Sequence, residues 1–426
     1  MLAILFGAPC KNAIHIRRRG NDSEFPSNMR KKPTPSNTPP TVGVRIPAWA
    51  RHAHGLYEGI LEYMQRHSTW RLEVGMDTDD EMPRPDIGKD WKGDGIITFR
   101  YTDEEAASWR RRGTAVVNVS TEKASTPLPS VFLDNREAGR QVARFFVERG
   151  WDSFGYLHDP HRRYSTERLA GFREVLREHG HEVDVLEVDS SRMSSAERPE
   201  GVRDALRRQI GGWKHPVAVL AKDDISASAL LRYLPEFGLS CPDDVAVIGV
   251  CNDRLLCLTS FPPLSSVRYP AHQIGYGAAE LLDRQLAGES IKPSQEVIMA
   301  PREVRERQSS TRFASTDKLI AGALEFIGRE APGRVVRVEE LWAGTGVSRE
   351  SFRKRFLAVV GTSPKKEVDR VRVETAKNYL AETRWAIAEI SQHMGFGTSE
   401  EFSRFFRRAV GQPPTEFRTL VTYPGG

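Results

Sequence analysis

From Thr41 onward, short β-rich runs alternate with stretches whose apolar residues recur at helical spacing. The runs are TVGVRI, GIITF, AVVNVS, SFGYL, EVDVLEV, VAVLA and VAVIGV. Between them lie GLYEGILEYMQRH, EAGRQVARFFVERG, TERLAGFREVLREHG and SASALLRYLPEFG. This alternation predicts a parallel, doubly wound α/β architecture. Residues 41–311, of which 41–301 read as one sensor domain, are too long for one sheet of ordinary width. Two similar lobes fit better, with a ligand held between the carboxyl ends of their strands. A charged linker is expected over 302–315. Beyond it the strands stop, and residues 316–420 read as helical, punctuated by Gly and Pro, before a tail at 421–426.

Composition adds little until it is divided along the chain. No apolar run reaches the length of a transmembrane helix. The opening MLAILFGAPC is short, no basic residue precedes it, and it lacks a small-x-small cleavage site. It is not read as a signal peptide, and a cytoplasmic protein is expected. Residues 1–40 are basic and rich in Pro, Ser and Asn, the composition of a disordered tail. Met29, followed by RKKPTPSN, has the context of a natural start. The tail carries 7 basic and 2 acidic side chains, residues 41–311 carry 36 and 41, and residues 312–426 carry 19 and 14. An acidic middle between basic ends directs any polyanion to the ends. Cys10, Cys241, Cys251 and Cys257 form no CxxC pair and no zinc-finger spacing, so reduced thiols are expected.

The helical region repeats itself at an offset of fifty. Phe352, Lys354, Phe356, Gly361 and Pro364 return as Phe402, Arg404, Phe406, Gly411 and Pro414. Two copies of one supersecondary unit follow. Each begins with a short apolar helix, VEELWAGTGV or IAEISQHMGF, turns at a glycine (Gly346, Gly395) and continues into a Phe/Arg helix. Thr398 and Glu401 have capping-box spacing. Short helix, glycine turn and amphipathic helix make the helix-turn-helix pattern. On the second helix Phe402, Phe405, Phe406 and Ala409 are expected inside, with Glu400, Ser403, Arg404 and Arg407 outside. On the first, Phe352 and Phe356 point inward, while Glu350, Arg353 and Lys354 take another face. A solvated charged face would explain one such helix; two copies with turn glycines favour double-stranded DNA as partner. Arg, Ser and Glu suit base edges, and Lys and Arg suit phosphates. KKEVDRVRVETAKNYLA between the copies reads as a long helix that sets the spacing of the readers. A separation of about 34 Å would admit both to successive major grooves.

AIAEISQHMGFGTSEEFSRFFRRAVGQPPTEFR and GVSRESFRKRFLAVVGTSP resemble the two helix-turn-helix segments of the AraC family of transcription regulators. The resemblance places Glu350, Arg353, Lys354, Glu400, Ser403 and Arg404 at the DNA, and Ser348, Ser399 and Arg407 beside them are further candidate contacts. Ser391 departs from the family, which packs alanine there.

The α/β region resembles the LacI-type, periplasmic-binding-protein-like sensor. VFLDNREAGRQVARFFVERGW, RYSTERLAGFREVLREHG, AVLAKDDISASALL and CPDDVAVIGVCNDRLLCLTSFPPLSSV carry that likeness. A LacI-like sensor ahead of an AraC-like reader is the arrangement of xylose-operon-type regulators. The resemblance implies a sugar effector, a pentose such as xylose, bound by Arg168, Asp224 and Asn252, with Trp49 and His54 following the first strand. Arg168 could instead bridge its own helix, and Asp224 could be only an N-cap. Two positions depart from the family: Cys251 stands where an aspartate is usual, and His54 where an arginine is usual. A thiol cannot accept two hydroxyl hydrogen bonds as a carboxylate does, though Asp253 could substitute.

Arg51-His52-Ala53-His54 has no Cys, Asp or Glu partner at metal spacing, so no metal site or cofactor is expected. No Walker A loop, GxGxxG after a strand or G-x-S-x-G elbow is present, which argues against an enzyme. Two readings remain. One is a ligand-gated regulator, a homodimer in which sugar closes the lobes and changes the geometry presented to DNA. The other is a DNA-binding regulator with a vestigial or non-sugar cleft.

Overall fold

A computed structural model describes residues 38–47, 52–75, 86–123, 125–188, 199–311, 318–383 and 385–421. Nearly all of the expected basic tail, the C-terminal tail beyond residue 421 and Trp49 lie outside the described residues. The chain forms two compact units, Met1–Thr311 and Arg312–Gly426.

In the first unit the element order is β1 (Thr41–Arg45), α1 (Ala53–His67), β2 (Arg71–Val74), β3 (Gly95–Thr98), α2 (Asp103–Arg112), β4 (Ala115–Asn118), β5 (Ser130–Leu133), α3 (Asn135–Val147) and β6 (Phe154–His158). It continues through α4 (Arg163–Glu178), β7 (Asp184–Glu187), α5 (Pro199–Gly211), β8 (Val217–Ala221), α6 (Asp224–Tyr233) and β9 (Val245–Cys251). The last elements are α7 (Arg254–Thr259), β10 (Ser265–Arg268), α8 (Ala271–Leu286), β11 (Glu296–Met299) and β12 (Val304–Arg305). Two six-stranded sheets result, ordered β11-β5-β4-β3-β1-β2 and β12-β10-β9-β8-β6-β7. Their described pairings are parallel except β10 with β12. Parallel strands need crossover helices, which cover both faces and explain why β3, β5, β6 and β8 are buried at every position.

Each sheet anchors one lobe, and the chain crosses between them three times: at Asp134, at Tyr269–Pro270 and between Met299 and Val304. The Asp134 N–H donates to Met299 O at 2.7 Å, and the Arg302 N–H to Arg268 O at 3.1 Å, so the crossings run side by side. Here the expected linker needs correction over 302–311. Val304 and Arg305 pair antiparallel with Val267 and Ser266, and Ser309 and Ser310 are fully buried. Ser309 Oγ bonds Val247 O at 2.6 Å. The charged pattern hid a two-residue edge strand whose partner is far along the chain.

Glycine sets the approach of the helices that flank the crossings. A Cβ on Gly139 of α3 would lie 2.0 Å from Arg168 O of α4, and one on Gly171 would lie 1.9 Å from Arg136 O. The two helices therefore touch backbone to backbone, and this contact seats Arg168.

In the second unit, α9 (Lys318–Glu330) is followed by a 3-10 turn at Val338–Leu341, then α10 (Arg349–Val360), α11 (Pro364–Glu382), α12 (Ile387–His393), α13 (Ser399–Val410) and α14 (Pro414–Val421). The fifty-residue repeat is visible in the caps. Ser348 and Thr398 cap the two Phe/Arg helices, and both helices end on a left-handed glycine, Gly361 at φ 72° and Gly411 at φ 87°. Proline then starts the following helix in both copies. The turn glycines Gly346 and Gly395 share a φ of 70°, a conformation costly for any side chain. One small core holds Leu324, Leu341, Phe352, Phe356 and Val368; another holds Ala376, Leu380, Ile390, Met394, Phe402 and Phe406. α11 contributes to both, so one continuous helix joins the two cores.

Three details differ from expectation. The first copy opens with a single 3-10 turn instead of an α-helix. Ala409 is exposed and Phe405 half-buried, because the apolar stripe of α13 is narrowed to Phe402 and Phe406. The Glu401 carboxylate accepts from the Gly397 N–H at 3.1 Å, so only the Thr398 half of the capping box forms.

Candidate functional sites

In the first unit, the ends of β8 and β9, the start of α4 and the crossings bring a set of polar and aromatic groups together. Arg168 is buried on α4. Its Nε donates to Asn135 Oδ1 at 3.0 Å, a second nitrogen donates to Lys222 O, and the guanidinium packs over the Tyr164 ring at 4.8 Å. Its hydrogen bonds go to other elements, and within its own helix it only stacks on Tyr164. Lys222 Nζ lies 2.5 Å from Asp223 Oδ2, and Tyr164 Oη lies 3.4 Å from each. Burial pushes the Asp223 carboxyl up, but the Lys222 ammonium and the Ser226 N–H outweigh it and hold it below the usual range.

Asp223 is the N-cap of α6, accepting from the Ser226 N–H at 2.8 Å. Asp224, one residue on, turns under β9. Its oxygens accept from Ser266 Oγ at 2.5 Å and from the Asp253 N–H at 2.7 Å. Burial pushes its carboxyl up to about 7 against those two hydrogen bonds. It anchors the loop that carries Cys251 and Asn252. Both of these have positive φ, 127° and 53°. Asn252 Oδ1 accepts from Arg307 at 2.8 Å, and Asp253 caps α7 through the Leu256 N–H at 3.0 Å. Burial raises the Cys251 thiol, which is therefore neutral.

His54 is exposed on α1, whereas its neighbour His52 faces the cleft. The His52 ring lies 4.4 Å from Tyr269 and 5.4 Å from Phe99, measured between centroids. Its Nε2 is buried with no hydrogen-bond partner among the described residues. Burial, helped by the positive charge of Arg168, lowers its pKa to about 4. The sequence offered His52 only as half of a weak metal pattern; His54, expected at the ligand, points to solvent, and His52 is the histidine packed against Phe99 and Tyr269. Asn135, Tyr164 and Lys222 were likewise not singled out, since nothing local distinguishes them from surface residues. Among the described residues no group of three or more His, Cys, Asp or Glu is placed to hold a metal.

The lobes meet around this cleft. The Tyr164 N–H donates to Thr121 O at 3.2 Å, Arg163 reaches Glu296 at 2.7 Å and Asn135 donates to Thr121 Oγ1 at 3.2 Å. A separate recess of about 460 Å³ by Gln65–Trp70 is wide open and lies apart from these groups.

In the second unit the Phe/Arg helices turn charge outward. Ser348, Glu350, Arg353 and Lys354 are exposed on α10; Glu400, Arg404 and Arg407 are exposed on α13, with Ser399 and Ser403 half-buried. Lys354 and Glu350 lie 3.8 Å apart and remain mostly in solvent. The Glu400 carboxyl is held below its usual range by its own backbone N–H, with the Thr398 and Ser399 hydroxyls. Ser391 is buried and its Oγ donates to Thr398 O at 2.8 Å, so the hydroxyl ties the turn to the N-cap of α13. Arg372 was not anticipated. It is buried on α11 and donates to Ala331 O, Arg334 O and Met394 O, with its guanidinium 4.3 Å from the Phe396 ring. One side chain thus ties the segment ahead of the first copy to the turn of the second.

Residues 143–310 match the model of the periplasmic binding protein-like domain, and residues 341–419 match the model of the helix-turn-helix domain. The xylose operon regulatory protein of Escherichia coli (strain K12) is 27% identical over 375 residues, covering 85% of this chain and 93% of that protein. Its counterpart in Haemophilus influenzae is 24% identical over 294 residues, covering 68% and 74%. A solved structure of the xylose-binding transcription activator xylR superposes with a TM-score of 0.64 at 24% identity, covering 91% of this chain and all of that one. The complex of the transcriptional regulator CelR with cellobiose gives 0.51 at 22% identity over 63% of this chain and 84% of that one.

Proposed function

This chain belongs to the transcription regulators of the xylose-operon type, a periplasmic-binding-protein-like domain followed by an AraC-type helix-turn-helix domain, and we propose that a small carbohydrate-like effector controls its binding to DNA. The observation that carries the proposal is the cleft. Buried Arg168, the unpartnered His52 Nε2, Asn135 and the Asp223–Lys222 pair line an aromatic wall of Tyr164, Phe99 and Tyr269. Such a mix of forked polar groups and rings suits a polyhydroxylated ligand. Xylose is what the E. coli relative's name suggests; the vestigial-cleft alternative is weakened because Nε2 of His52 is left for a ligand to satisfy.

The effector acts by binding one arrangement of the lobes better than another. Three chain crossings supply the hinge, and Arg163–Glu296 is an ion pair that opening would break. On the DNA side, α10 and α13 are the reading helices, with Arg353, Lys354, Arg404 and Arg407 as the main contacts. The 19 residues of α11 span about 28 Å, near the rise of one DNA turn of about 34 Å. A homodimer is supported by four exposed apolar side chains on or beside α6 and α7: Ile225, Leu255, Leu258 and Phe261, the last 88% exposed. The protein works on DNA in the cytoplasm, and no described helix is long and apolar enough to cross a membrane.

The test is selection of bound fragments from the source genome by the full chain, with and without a sugar panel. Enriched fragments should carry paired half-sites, and a sugar should change their affinity at least tenfold. Affinity should fall steeply with salt, as expected when several phosphates are neutralised. Salt-insensitive, sequence-indifferent binding would refute the reader assignment. Specific binding that no small molecule alters would refute the gating.

A further inference from the structure

The charge balance of the cleft says more about the effector than its shape does. Arg168 is buried, and its described hydrogen bonds go to two neutral acceptors, an amide oxygen of Asn135 and the carbonyl of Lys222. No carboxylate among the described residues forms an ion pair with it. The carboxyls nearby are already committed. Asp223 is neutralised by Lys222 at 2.5 Å. Asp253 caps α7. Asp224 points away beneath β9, holding Ser266 and the Asp253 N–H. Two neutral groups lie within reach of the Arg168 charge: the Cys251 thiol and the His52 imidazole, whose Nε2 is bare. A buried guanidinium without an anionic partner is costly. A cleft that keeps one has a vacancy for negative charge, and a guanidinium pairs best with a planar carboxylate.

We propose that the effector is a polyhydroxy acid, a sugar acid whose carboxylate pairs with Arg168 while a hydroxyl meets His52 Nε2. This deepens the effector reading above and rests on it. The pairing leaves the ligand's hydroxyls to Asn135, Asn252 and Asp223, and its ring or chain to Tyr164 and Tyr269. Neutral sugars would leave the Arg168 charge unanswered.

Thermal unfolding and calorimetric titration of the full chain should compare each neutral sugar with its own acid: D-xylose with D-xylonate, D-glucose with D-glucuronate, D-galactose with D-galacturonate. At least one acid should bind tenfold or more tightly than its neutral partner, with affinity falling as salt rises. Cys251→Asp places a carboxylate beside Arg168; it should weaken the acid at least tenfold and improve the neutral partner. A neutral sugar bound as well as or better than its acid overturns the charge argument while leaving the sensor reading intact. Silence with all six, in a chain that unfolds cooperatively, overturns both. An unchanged acid affinity in Cys251→Asp, with its fold shown intact by the same melting curve, also overturns the pairing with Arg168.

Discussion

Two buried titratable groups of the sensor should oppose each other as pH changes, and removing one should uncover the other. The Asp224 carboxyl is raised from 3.8 to about 7 by burial. Its stabilising contribution is complete below pH 3.8 and is lost as pH rises through 7, because the folded state retains a proton that the unfolded state releases. His52 is lowered from 6.5 to about 4. Its contribution is complete above 6.5 and is lost as pH falls through about 4. At about 1.4 kcal/mol per unit, Asp224 accounts for roughly 4 kcal/mol and His52 for roughly 3 kcal/mol at most. From about pH 4 to 6.5 the slopes have opposite sign and similar size, so in the native protein they nearly cancel. Asp224→Asn should therefore make stability climb by about 1.4 kcal/mol per pH unit relative to the native chain. Between pH 5.0 and 6.5 the two proteins should converge or diverge by about 2 kcal/mol. Urea unfolding followed by tryptophan fluorescence at those two pH values measures it. His52→Gln should give the opposite slope. Every other carboxyl is common to the compared proteins and drops out of the difference. Parallel pH profiles for the native chain and Asp224→Asn would refute the burial argument.

The remaining predictions concern packing and reading. Arg372→Met should destabilise the second unit by about 3 kcal/mol, about 1 for each of three backbone carbonyls losing its donor. It should cost DNA affinity without touching a base; an unfolding transition shifted by less than a third of that would count against the hub role. Gly139→Ala puts a Cβ 2.0 Å from Arg168 O, so it should cost about 1–3 kcal/mol and weaken effector binding by tilting α4. Unchanged affinity in calorimetry would show that Arg168 is not held by that helix contact. Arg404→Ala should lose about 1–3 kcal/mol on the selected site and relax specificity at one base position; equal weakening on all sequences would make it a phosphate contact.

The reader was legible from the chain alone because everything that defines it is local. Phe352 and Phe356, and Phe402 and Phe406 fifty residues on, are spaced to share one helix face, and that face is buried. Gly346, Gly395, Gly361 and Gly411 mark left-handed turns that few other residues accept. The apolar runs likewise announced an α/β sensor, since VAVLA and VAVIGV are strands almost as written. Registers of one or two residues were not legible. His52 and not His54 faces the cleft, and Asp223 and not Asp224 caps α6, because the point where each helix begins decides which neighbour turns inward. Nor did pattern reveal Val304–Arg305 as a strand or Arg372 as a hub. A two-residue strand has no period to read, and a charged residue in a helix is ordinarily solvated. Both acquire their roles from partners distant along the chain, Ser266–Val267 for one and the carbonyls of Ala331, Arg334 and Met394 for the other. Local periodicity sets which face of an element is buried, while the charge balance around Arg168 exists only after the crossings bring α3, α4 and the end of β8 to one place.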